Sequence, residues 1–277
     1  MEQGEFASTP GTAVSRPATP IDLSGIDAMP RAMFGMVTEA ELVGEVEPHS
    51  HSKAQLLHVV EGALTVFAGG GLWTVPPRCA LWIPGGTPHH GRGAGRVRVE
   101  SLYAEPALAS ALGERCAILF IRPLLRELIA AYVAGTGTGR HEPAREARLA
   151  GVLLDELADA PLEPIHVPMP ADRRLRRLVE TILVDPAARF TIAEWGARVG
   201  ASDRTLSRLF RRETGLSFVR WRQQLHVSLA LRHLAAGAPV SRVAGDLGYD
   251  SVSAFIAMFR RLLGVTPARY FDYLPSS

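Results

Sequence analysis

The sequence lacks the features that mark membrane-spanning, secreted and disulfide-stabilised proteins. It has no run of about 18 apolar residues, which a membrane helix would need, and no charged start followed by an apolar core, which a secretory signal would need. Its cysteines number only 2, Cys79 and Cys116, and they form no CxxC pair. We therefore expect no membrane span, no secretory signal and no disulfide framework, and a chain that works in the reducing cytoplasm.

Lysine is also scarce, because Lys53 is the single one, and nearly all of the positive charge comes from arginine. The formal net charge of +2 hides an uneven distribution. Residues 169–277 carry 17 arginines and 9 acidic residues, whereas residues 1–168 carry 13 basic and 19 acidic residues. A basic half joined to an acidic half suggests that one part meets a polyanion and the other does not. A solvated arginine face would give the same balance, so the charge needs support from motifs.

The pattern of apolar residues divides the chain into five segments and predicts an α+β fold class. Residues 1–28, rich in Ser, Thr, Pro and Gly, are expected to be a flexible tail. Short apolar runs between Gly and Pro clusters predict a small β-barrel or sandwich for residues 29–104. Helical periodicity predicts a helical hairpin for residues 105–160, which either packs on the barrel or forms a dimerisation surface. Residues 161–170 are rich in proline and are expected to be an interdomain linker, and residues 171–277 an all-α domain.

The all-α segment repeats itself at an offset of 49 residues. The stretch FRRETGLSFVRW, Phe210–Trp221, aligns with FRRLLGVTPARY, Phe259–Tyr270, in its Phe, both initial Arg, Gly and a later Arg. A repeat of this size that carries short helices indicates two copies of one supersecondary unit.

Each copy contains the residues that a helix-turn-helix requires. Gly196 is the small residue where two helices would cross, and Gly200 is the turn residue that tolerates positive φ. Ala244 and Gly248 take these places in the second copy, at an offset of 48 and not 49 because the turn of the second copy is one residue longer. Between the copies, residues 217–237 are predicted to form one helix of about 19 residues and about 30 Å, close to the roughly 34 Å of one turn of B-DNA. The apolar residues expected to lock the second helix onto the first are Trp195, Val199, Leu206 and Leu209, with Val243, Leu247, Phe255 and Phe259 in the second copy.

Residues 171–273, including the stretch VAGDLGYDSVSAFIAMFRRLLGVTPARY, resemble the AraC/XylS class of transcriptional regulators. The resemblance implies two helix-turn-helix units on a rigid linker helix that bind double-stranded promoter or operator DNA. It also implies a sequence-specific regulator whose N-terminal domain senses a small-molecule effector, and the expected assembly is a homodimer.

On the first predicted recognition helix, the residues that do not face the core are the candidates for DNA contact. Family members use the positions that match Arg204, Ser207 and Arg208 to reach bases. Arg204 and Arg208 could each pair with guanine O6 and N7, worth about 1–3 kcal/mol of discrimination, or could contact phosphate alone. With Leu206, Leu209 and Phe210 facing inward, the outward residues are Asp203, Arg204, Ser207, Arg208 and Arg211.

The second predicted recognition helix offers fewer hydrogen-bonding groups. Many members of the class carry an arginine where Ala257 stands, so this helix would contact thymine methyl groups or the DNA backbone. We therefore predict that the first copy sets most of the sequence preference. The outward residues of the second helix are Val252, Ser253, Ile256, Ala257 and Arg260.

A second resemblance lies in the N-terminal half, in the stretch EVEPHSHSKAQLLHVVEG. Here His49, His51 and Gln55 have the spacing of the first cupin motif, H-x-H-x(3,4)-E-x(6)-G, with Gln in place of Glu. The stretch WIPGGTPHHGRG supplies His89 after the P-x-G of the second motif. This resemblance covers residues 35–104 and implies that the three histidines and Gln55 converge inside a barrel.

Two interpretations of this cluster stay open. Three neutral imidazoles suit Zn, Fe(II), Ni or Mn, so a divalent metal bound by His49, His51 and His89 could help to hold the effector. Neutral Gln55 is a poor ligand, however, and the cluster could instead be a polar, metal-free patch in an effector pocket. His58 and His90 are not expected to be ligands but ordinary strand or surface residues.

Two functions compete for the whole chain. The first is a ligand-responsive, DNA-binding transcriptional regulator, and the alternative is a cupin metalloenzyme, a dioxygenase or isomerase with an accessory helical domain. The cluster lacks the cupin Glu, and no paired acid and base are evident near it. A DNA-binding domain would also have no role in such an enzyme, so we expect a regulator and not an enzyme.

Overall fold

The structure is a computed structural model, and it describes residues 25–138, 142–163 and 165–270. The predicted tail lies outside the described residues as far as residue 24, and residues 25–28 form a turn in which Ile26 is buried. None of the helices in these three ranges is both long and apolar enough to cross a membrane.

The N-terminal half is built from antiparallel strands, as the short apolar runs between glycines predict. The strands form one sheet in the order β8-β7-β5-β2-β6-β3-β4-β9, with β1 also paired to β6. The long strand β6 therefore pairs with β1, β2 and β3, and it begins at His89. The strands are β1 (Met33–Glu45), β2 (Ala54–Glu61), β3 (Leu64–Ala68), β4 (Gly71–Val75), β5 (Cys79–Ile83), β6 (His89–Ala104), β7 (Ala117–Phe120), β8 (Leu162–Glu163) and β9 (His166–Pro168).

Three short strands lie outside the segment that was expected to be β. Strand β7 pairs with β5, although it lies in the region of residues 105–160 where helices were expected. Strands β8 and β9 lie in the predicted linker, residues 161–170, and pair with β7 and β4. Proline is tolerated in β9 because this strand is at an edge of the sheet, where one side of the backbone needs no donor. The predicted linker is therefore part of the sheet.

Helices α1 (Pro123–Thr138) and α2 (Pro143–Ala158) form the predicted hairpin and pack on the sheet. The leucines of α1 do not all face the sheet, because Leu125 is buried whereas Leu124 is 57% exposed. On α2, Val152 is 49% exposed. The buried residues of the two helices and their neighbours in the sheet include Leu125, Ile129, Leu153, Leu157, Leu56 and Leu102.

The C-terminal part is helical, and polar side chains cap several of its helices at their N-termini. Thr191 and Glu194 form a capping box at α4, in which each side chain accepts a backbone N–H of the other residue. Ser202 and Ser217 cap the two following helices in the same way by their hydroxyl oxygens. The helices are α3 (Arg173–Val184), α4 (Ile192–Val199), α5 (Asp203–Thr214), α6 (Phe218–Ala235), α7 (Val240–Asp246), α8 (Val252–Leu263) and α9 (Pro267–Tyr270).

Helix α6 lies between the other C-terminal helices and the sheet. Its residues Leu225–Leu231 are all buried, so it has no solvent-facing side over this stretch. The Trp221 indole donates a hydrogen bond of 2.7 Å to the carbonyl oxygen of Pro168 in β9. The hydroxyls of Ser228 and Thr74, which lies on β4, form a hydrogen bond. The residues of the sheet side that share a core with α6 are Leu72, Ile165 and Val167.

Candidate functional site

Helices α4 and α5 cross closely, as predicted for the first repeated unit. A Cβ atom built on Gly196 would lie 2.3 Å from the carbonyl oxygen of Ala201, far inside van der Waals contact. Gly200 ends α4 with a φ of +70°, a left-handed conformation that favours glycine. Trp195 and Leu206 are fully buried between the helices. The two glycines therefore fix the angle at which α5 leaves α4.

Helices α7 and α8 repeat this arrangement. Ala244 is buried at the position that corresponds to Gly196, and Gly248 has a φ of +74°. A Cβ on Gly248 would lie 2.7 Å from the carbonyl oxygen of Ala187, so the second turn packs against the loop before α4. The Ser251 hydroxyl caps α8 by accepting the N–H of Ala254.

The outward face of α5 carries the polar side chains predicted from the sequence. Arg204, Ser207, Arg208 and Arg211 are all exposed, and within the described residues none of the three arginines forms an ion pair. Arg212 differs, because its guanidinium pairs with the carboxylate of Glu213 at 3.0 Å. The first three arginines thus present uncompensated positive charge to solvent.

The outward face of α8 is less polar. Val252, Ser253 and Arg260 are exposed, and Ile256 is half-buried against the helical core. Ala257 is exposed and offers no hydrogen-bonding side chain. The two repeated helices therefore present surfaces of different chemistry, as the sequence indicated.

An open groove of about 720 Å³ lies between α5 and α6. Ser207, Arg208 and Arg211 line it from α5, and Arg222 and Gln223 line it from α6. The sequence did not indicate Arg222 and Gln223, because α6 was interpreted only as a helix that joins the two repeated units. The guanidinium of Arg222 donates to the carbonyl oxygens that precede α4, at Pro186 and Ala188.

In the sheet, the three predicted histidines lie together. His49 and His89 form an antiparallel backbone bridge, and their ring centroids are 4.3 Å apart. The centroid of the His51 ring lies 5.1 Å from that of His89. One ring nitrogen from each of the three histidines lies within 4.8 Å of the corresponding nitrogens of the other two.

The three imidazoles share one hydrogen-bonding pattern. Nδ1 of His49, His51 and His89 lies 3.0, 2.6 and 2.8 Å from the backbone carbonyl oxygens of Glu47, Lys53 and Thr87. Because a carbonyl oxygen only accepts, each Nδ1 carries the proton and each neutral ring keeps its lone pair on Nε2. Within the described residues, Nε2 of His51 and Nε2 of His89 are buried without a hydrogen-bond partner.

Burial favours the neutral form of two imidazoles of this cluster, those of His49 and His89, because it lowers the pKa of each. Desolvation lowers the pKa of His89 to about 4, and the neighbouring His49 and His51 lower it further. Desolvation also lowers the pKa of His49. Neutral imidazole is the form that ligates a metal ion, and a ligating histidine commonly donates its other N–H to a backbone carbonyl. The three histidines therefore fit a divalent transition metal.

Gln55 lies beside the cluster but is held by other groups. Its amide nitrogen donates to Ser101 Oγ and to the Tyr103 hydroxyl, both at 3.1 Å, while its Oε1 is buried without a partner within the described residues. Sequence reasoning missed Ser101 and Tyr103, since only the pairing of β2 with β6 brings them next to Gln55.

A small cavity adjoins His49, His89 and Gln55. Its volume is about 80 Å³. Its walls are mainly apolar, and no acidic side chain lines it among the described residues. The apolar residues that line it include Met36, Leu57, Val66, Val97 and Val99.

The two other histidines of this region lie outside the cluster, as expected. His58 is buried beside Glu100, with Nδ1 3.5 Å from the carboxylate. His90 stacks on Phe67, with ring centroids 4.7 Å apart. Neither imidazole is grouped with the three cluster histidines.

Known proteins resemble both parts of the chain. Residues 44–212 match the family model described as AraC-like ligand binding domain, and residues 195–273 match that described as helix-turn-helix domain. The chain is 41% identical over 222 residues to the HTH-type transcriptional regulator NimR of Escherichia coli strain K12. This match covers 80% of this chain and 81% of NimR. It is 31% identical over 141 residues to the Arabinose operon regulatory protein of the same strain, covering 50% of this chain and 47% of that protein.

Among solved structures, the DNA-binding domain of AdpA in complex with a target DNA is 33% identical. The match covers 36% of this chain and 92% of the AdpA chain, with a TM-score of 0.35. The proteins matched in sequence are named as transcriptional regulators and not as enzymes, so the metalloenzyme alternative is set aside. The chain belongs to the AraC family of DNA-binding transcriptional regulators with an N-terminal ligand-binding domain.

Proposed function

We propose that this regulator binds promoter or operator DNA through two helix-turn-helix units, α4–α5 and α7–α8, joined by α6. The observation that carries the proposal is that the same crossing of two helices occurs twice. In each copy a glycine with positive φ, Gly200 or Gly248, forms the turn, and the second helix presents an outward face to solvent. With 18 residues, α6 is about 27 Å long. This length suits two recognition helices that enter successive major-groove faces of one duplex.

The outward residues of the two recognition helices would contact DNA. On α5, Arg204 and Arg208 are proposed to reach base edges, and Arg211 to contact phosphate. On α8, contacts to thymine methyl groups and backbone are proposed. These residues are Ser207 with the three arginines on α5, and Val252, Ser253, Ile256 and Arg260 on α8.

The N-terminal sheet, residues 29–104, is proposed to be a cupin-like sensor. His49, Gln55 and His89 line the polar end of the cavity, and with His51 beside them they would bind a small effector there. The apolar walls would accommodate the remainder of a small molecule, since pockets of this kind are mostly apolar with a few converging polar groups.

The effector would act through the contact of the sheet with α6. Thr74, Ser228, Trp221 and Pro168 form hydrogen bonds across this contact, and the core is continuous through it. An effector that favours one arrangement of the sheet would change the position of α6 and hence of both recognition helices. Such an effect requires the effector to bind the two arrangements with different affinity.

The hairpin of residues 105–160 is proposed to form the surface between two copies of a homodimer. Leu124 of α1 and Val152 of α2 remain exposed there. Residues 161–170 connect this part to the DNA-binding part, residues 171–277, and the proposed location of the protein is the cytoplasm.

The test is an electrophoretic shift assay on the DNA upstream of the chain's own gene, over a series of salt concentrations. The expected result is a shift that weakens steeply with salt, because arginines displace counterions from the phosphates. A scrambled DNA of equal length should bind more weakly. Equal binding to both DNAs at every salt concentration would contradict sequence-specific recognition.

A further inference from the structure

Each of the two repeated units, α4–α5 and α7–α8, is joined to α6 by a turn that contains a glycine. Gly215 ends α5 with a φ of +70°, and Gly237 follows α6 with a φ of +80°. A shared apolar core packs both units around α6, but the hydrophobic effect is not directional. Hydrogen bonds are directional, so hydrogen bonds between the units would restrict the angle between α5 and α8 further.

A buried, hydrogen-bonded junction of this kind lies at the side of α6. His226 of α6 is 4% exposed, and its Nδ1 lies 3.1 Å from the hydroxyl of Tyr249 in the turn of the second unit. Nε of Arg222, one helical turn earlier, donates to Nε2 of His226 at 3.3 Å. Nη2 of Arg222 donates to the carbonyl oxygens of Pro186 and Ala188 in the loop before α4. The junction therefore runs from the first unit through α6 to the second.

His226 is neutral in this junction. Burial, together with the nearby charge of Arg222, lowers its pKa to about 4. Because the guanidinium only donates, Nε2 accepts its hydrogen bond, and the proton on Nδ1 is donated to the oxygen of Tyr249. Nε2 also lies 3.2 Å from the carbonyl oxygen of Pro186, to which Arg222 donates. One imidazole thus connects a donor fixed to the first unit with an acceptor on the second.

Two other contacts join the same loop to the same turn. A Cβ atom built on Gly248 would lie 2.7 Å from the carbonyl oxygen of Ala187, so the two backbones are in close contact. Arg189 pairs with Asp250, but both side chains are exposed, and exposed ion pairs contribute little. The buried junction is therefore the main directional contact between the loop and the turn.

We propose that Arg222, His226 and Tyr249 are positioning residues that fix the separation of the two recognition helices, so that the chain selects an operator by the spacing of its two contacted segments as well as by their sequences. The proposal rests on the DNA-binding role proposed for both units. A rigid pair of binding units loses affinity when the spacing of its sites changes, whereas a flexible pair tolerates the change. None of the three side chains has to contact DNA for this effect.

The first test measures the distance between α5 and α8 without DNA, by pulsed electron paramagnetic resonance of the full chain. Spin labels are attached at two exposed positions, through Arg204→Cys on α5 and Ala257→Cys on α8. Cys116→Ser removes the partly exposed native thiol, and the buried Cys79 stays unlabelled. Labelled chains are diluted with unlabelled ones, so that each pair of labels reports on one chain. The expected result is one narrow distance distribution.

His226→Leu removes both hydrogen bonds of the imidazole, so it should broaden this distribution about twofold. Tyr249→Phe removes one hydroxyl and keeps the ring contact with Phe255, so it should fold and should broaden the distribution as well. Arg220→Gln is the matched control, because Arg220 lies exposed on α6 without a side-chain partner among the described residues, and it should change nothing. A distribution that stays narrow in His226→Leu, or in Tyr249→Phe where His226→Leu does not fold, overturns the proposal.

The second test uses titrated shift assays on the DNA upstream of the chain's own gene, after a footprint of the wild type has located two protected segments. Insertion of one base pair between the segments should weaken binding by the wild type about tenfold, and binding by His226→Leu less than about threefold. A loss of stability alone would weaken binding to both DNAs by the same factor. Equal effects of the insertion on the two proteins, or no effect on the wild type, would overturn selection by spacing.

The two tests separate this proposal from the proposed function. If the wild type shows no specific shift but His226→Leu broadens the distance distribution, DNA recognition by the two units is rejected and the positioning role of the junction is supported. A specific shift together with an unchanged distribution in His226→Leu leaves DNA recognition standing and rejects the positioning role.

Discussion

Gly196 lies at the point where α4 crosses the start of α5, and any larger residue would meet the backbone there. We expect Gly196→Ala to destabilise the protein by about 1–3 kcal/mol, because the new Cβ would lie 2.3 Å from the Ala201 carbonyl oxygen and a backbone must move. The free energy of unfolding is measured by urea denaturation followed by circular dichroism. The DNA shift should weaken as well, since the position of α5 changes.

The matched control is another helical glycine, Gly245 of α7. A Cβ built there has no atom within 4 Å, and the residue is exposed. Gly245→Ala should therefore leave stability unchanged or raise it by up to about 1 kcal/mol, since alanine favours the helix over glycine. Equal destabilisation by the two substitutions would show that the close crossing at Gly196 is not the cause.

Single residues differ in how far the sequence alone predicts them. Gly196 was predicted because a repeat aligns it with Ala244, and a small residue at both positions has one simple explanation. His49, His51 and His89 were predicted from their spacing. Ser101 and Tyr103 were not, because the register of β2 against β6 sets their distance from Gln55 and no local pattern encodes that register.

At the scale of elements, α5 and α8 are copies of one scaffold with different outward faces. Helix α5 presents Arg204, Arg208 and Arg211, whereas α8 presents Ala257 and Ile256 beside Arg260. Arginine can pair with two acceptors of a guanine, and an aliphatic side chain contacts mainly the thymine methyl group. In the proposed DNA contacts, α5 would therefore have more means than α8 of discriminating between DNA sequences.

We expect Arg208→Ala to reduce the discrimination between operator and mutated operator by about 1–3 kcal/mol, the value of one bidentate contact with guanine. Ile256→Ala should weaken binding to both DNAs by a similar factor and leave most of the discrimination intact. Dissociation constants for both DNAs are measured by titrated shift assays at one salt concentration.

Arg212→Ala is the control for the loss of one positive charge. Arg212 follows Arg211 on α5, but its guanidinium pairs with Glu213 at 3.0 Å, so its removal should change neither affinity nor discrimination appreciably. If Ile256→Ala abolished discrimination while Arg208→Ala preserved it, the assignment of sequence preference to α5 would be wrong.

The elements themselves were predicted unevenly. Helices with a regular apolar face were predicted well, as α4 and α5 illustrate. Strands β7 to β9 were not, because a run of two to four residues has too few positions to display a period of two. The prolines around β9 indicate a linker when composition alone is considered. A strand forms there because it can pair with the edge of β4.

At the scale of the whole molecule, the sheet and the helices behave as one packed body. Leu72 of β4 and Val167 of β9 belong to the core that contains Trp195, Phe210 and Trp221. A connection by a loose linker would leave the two parts independent. The shared core instead joins the sheet to the helices around α6, and the proposed effect of an effector on DNA binding depends on this contact.

The hydrogen bond between Thr74 and Ser228 lies at the centre of this contact, and both residues are buried. We expect Thr74→Val and Ser228→Ala each to destabilise the protein by about 1–3 kcal/mol, since each leaves one buried hydroxyl without a partner. The double variant should lose less than the sum, because no unsatisfied group remains. Urea unfolding of the four proteins measures this coupling. Strictly additive losses would mean that the two hydroxyls do not interact and that the sheet does not engage α6 at this point.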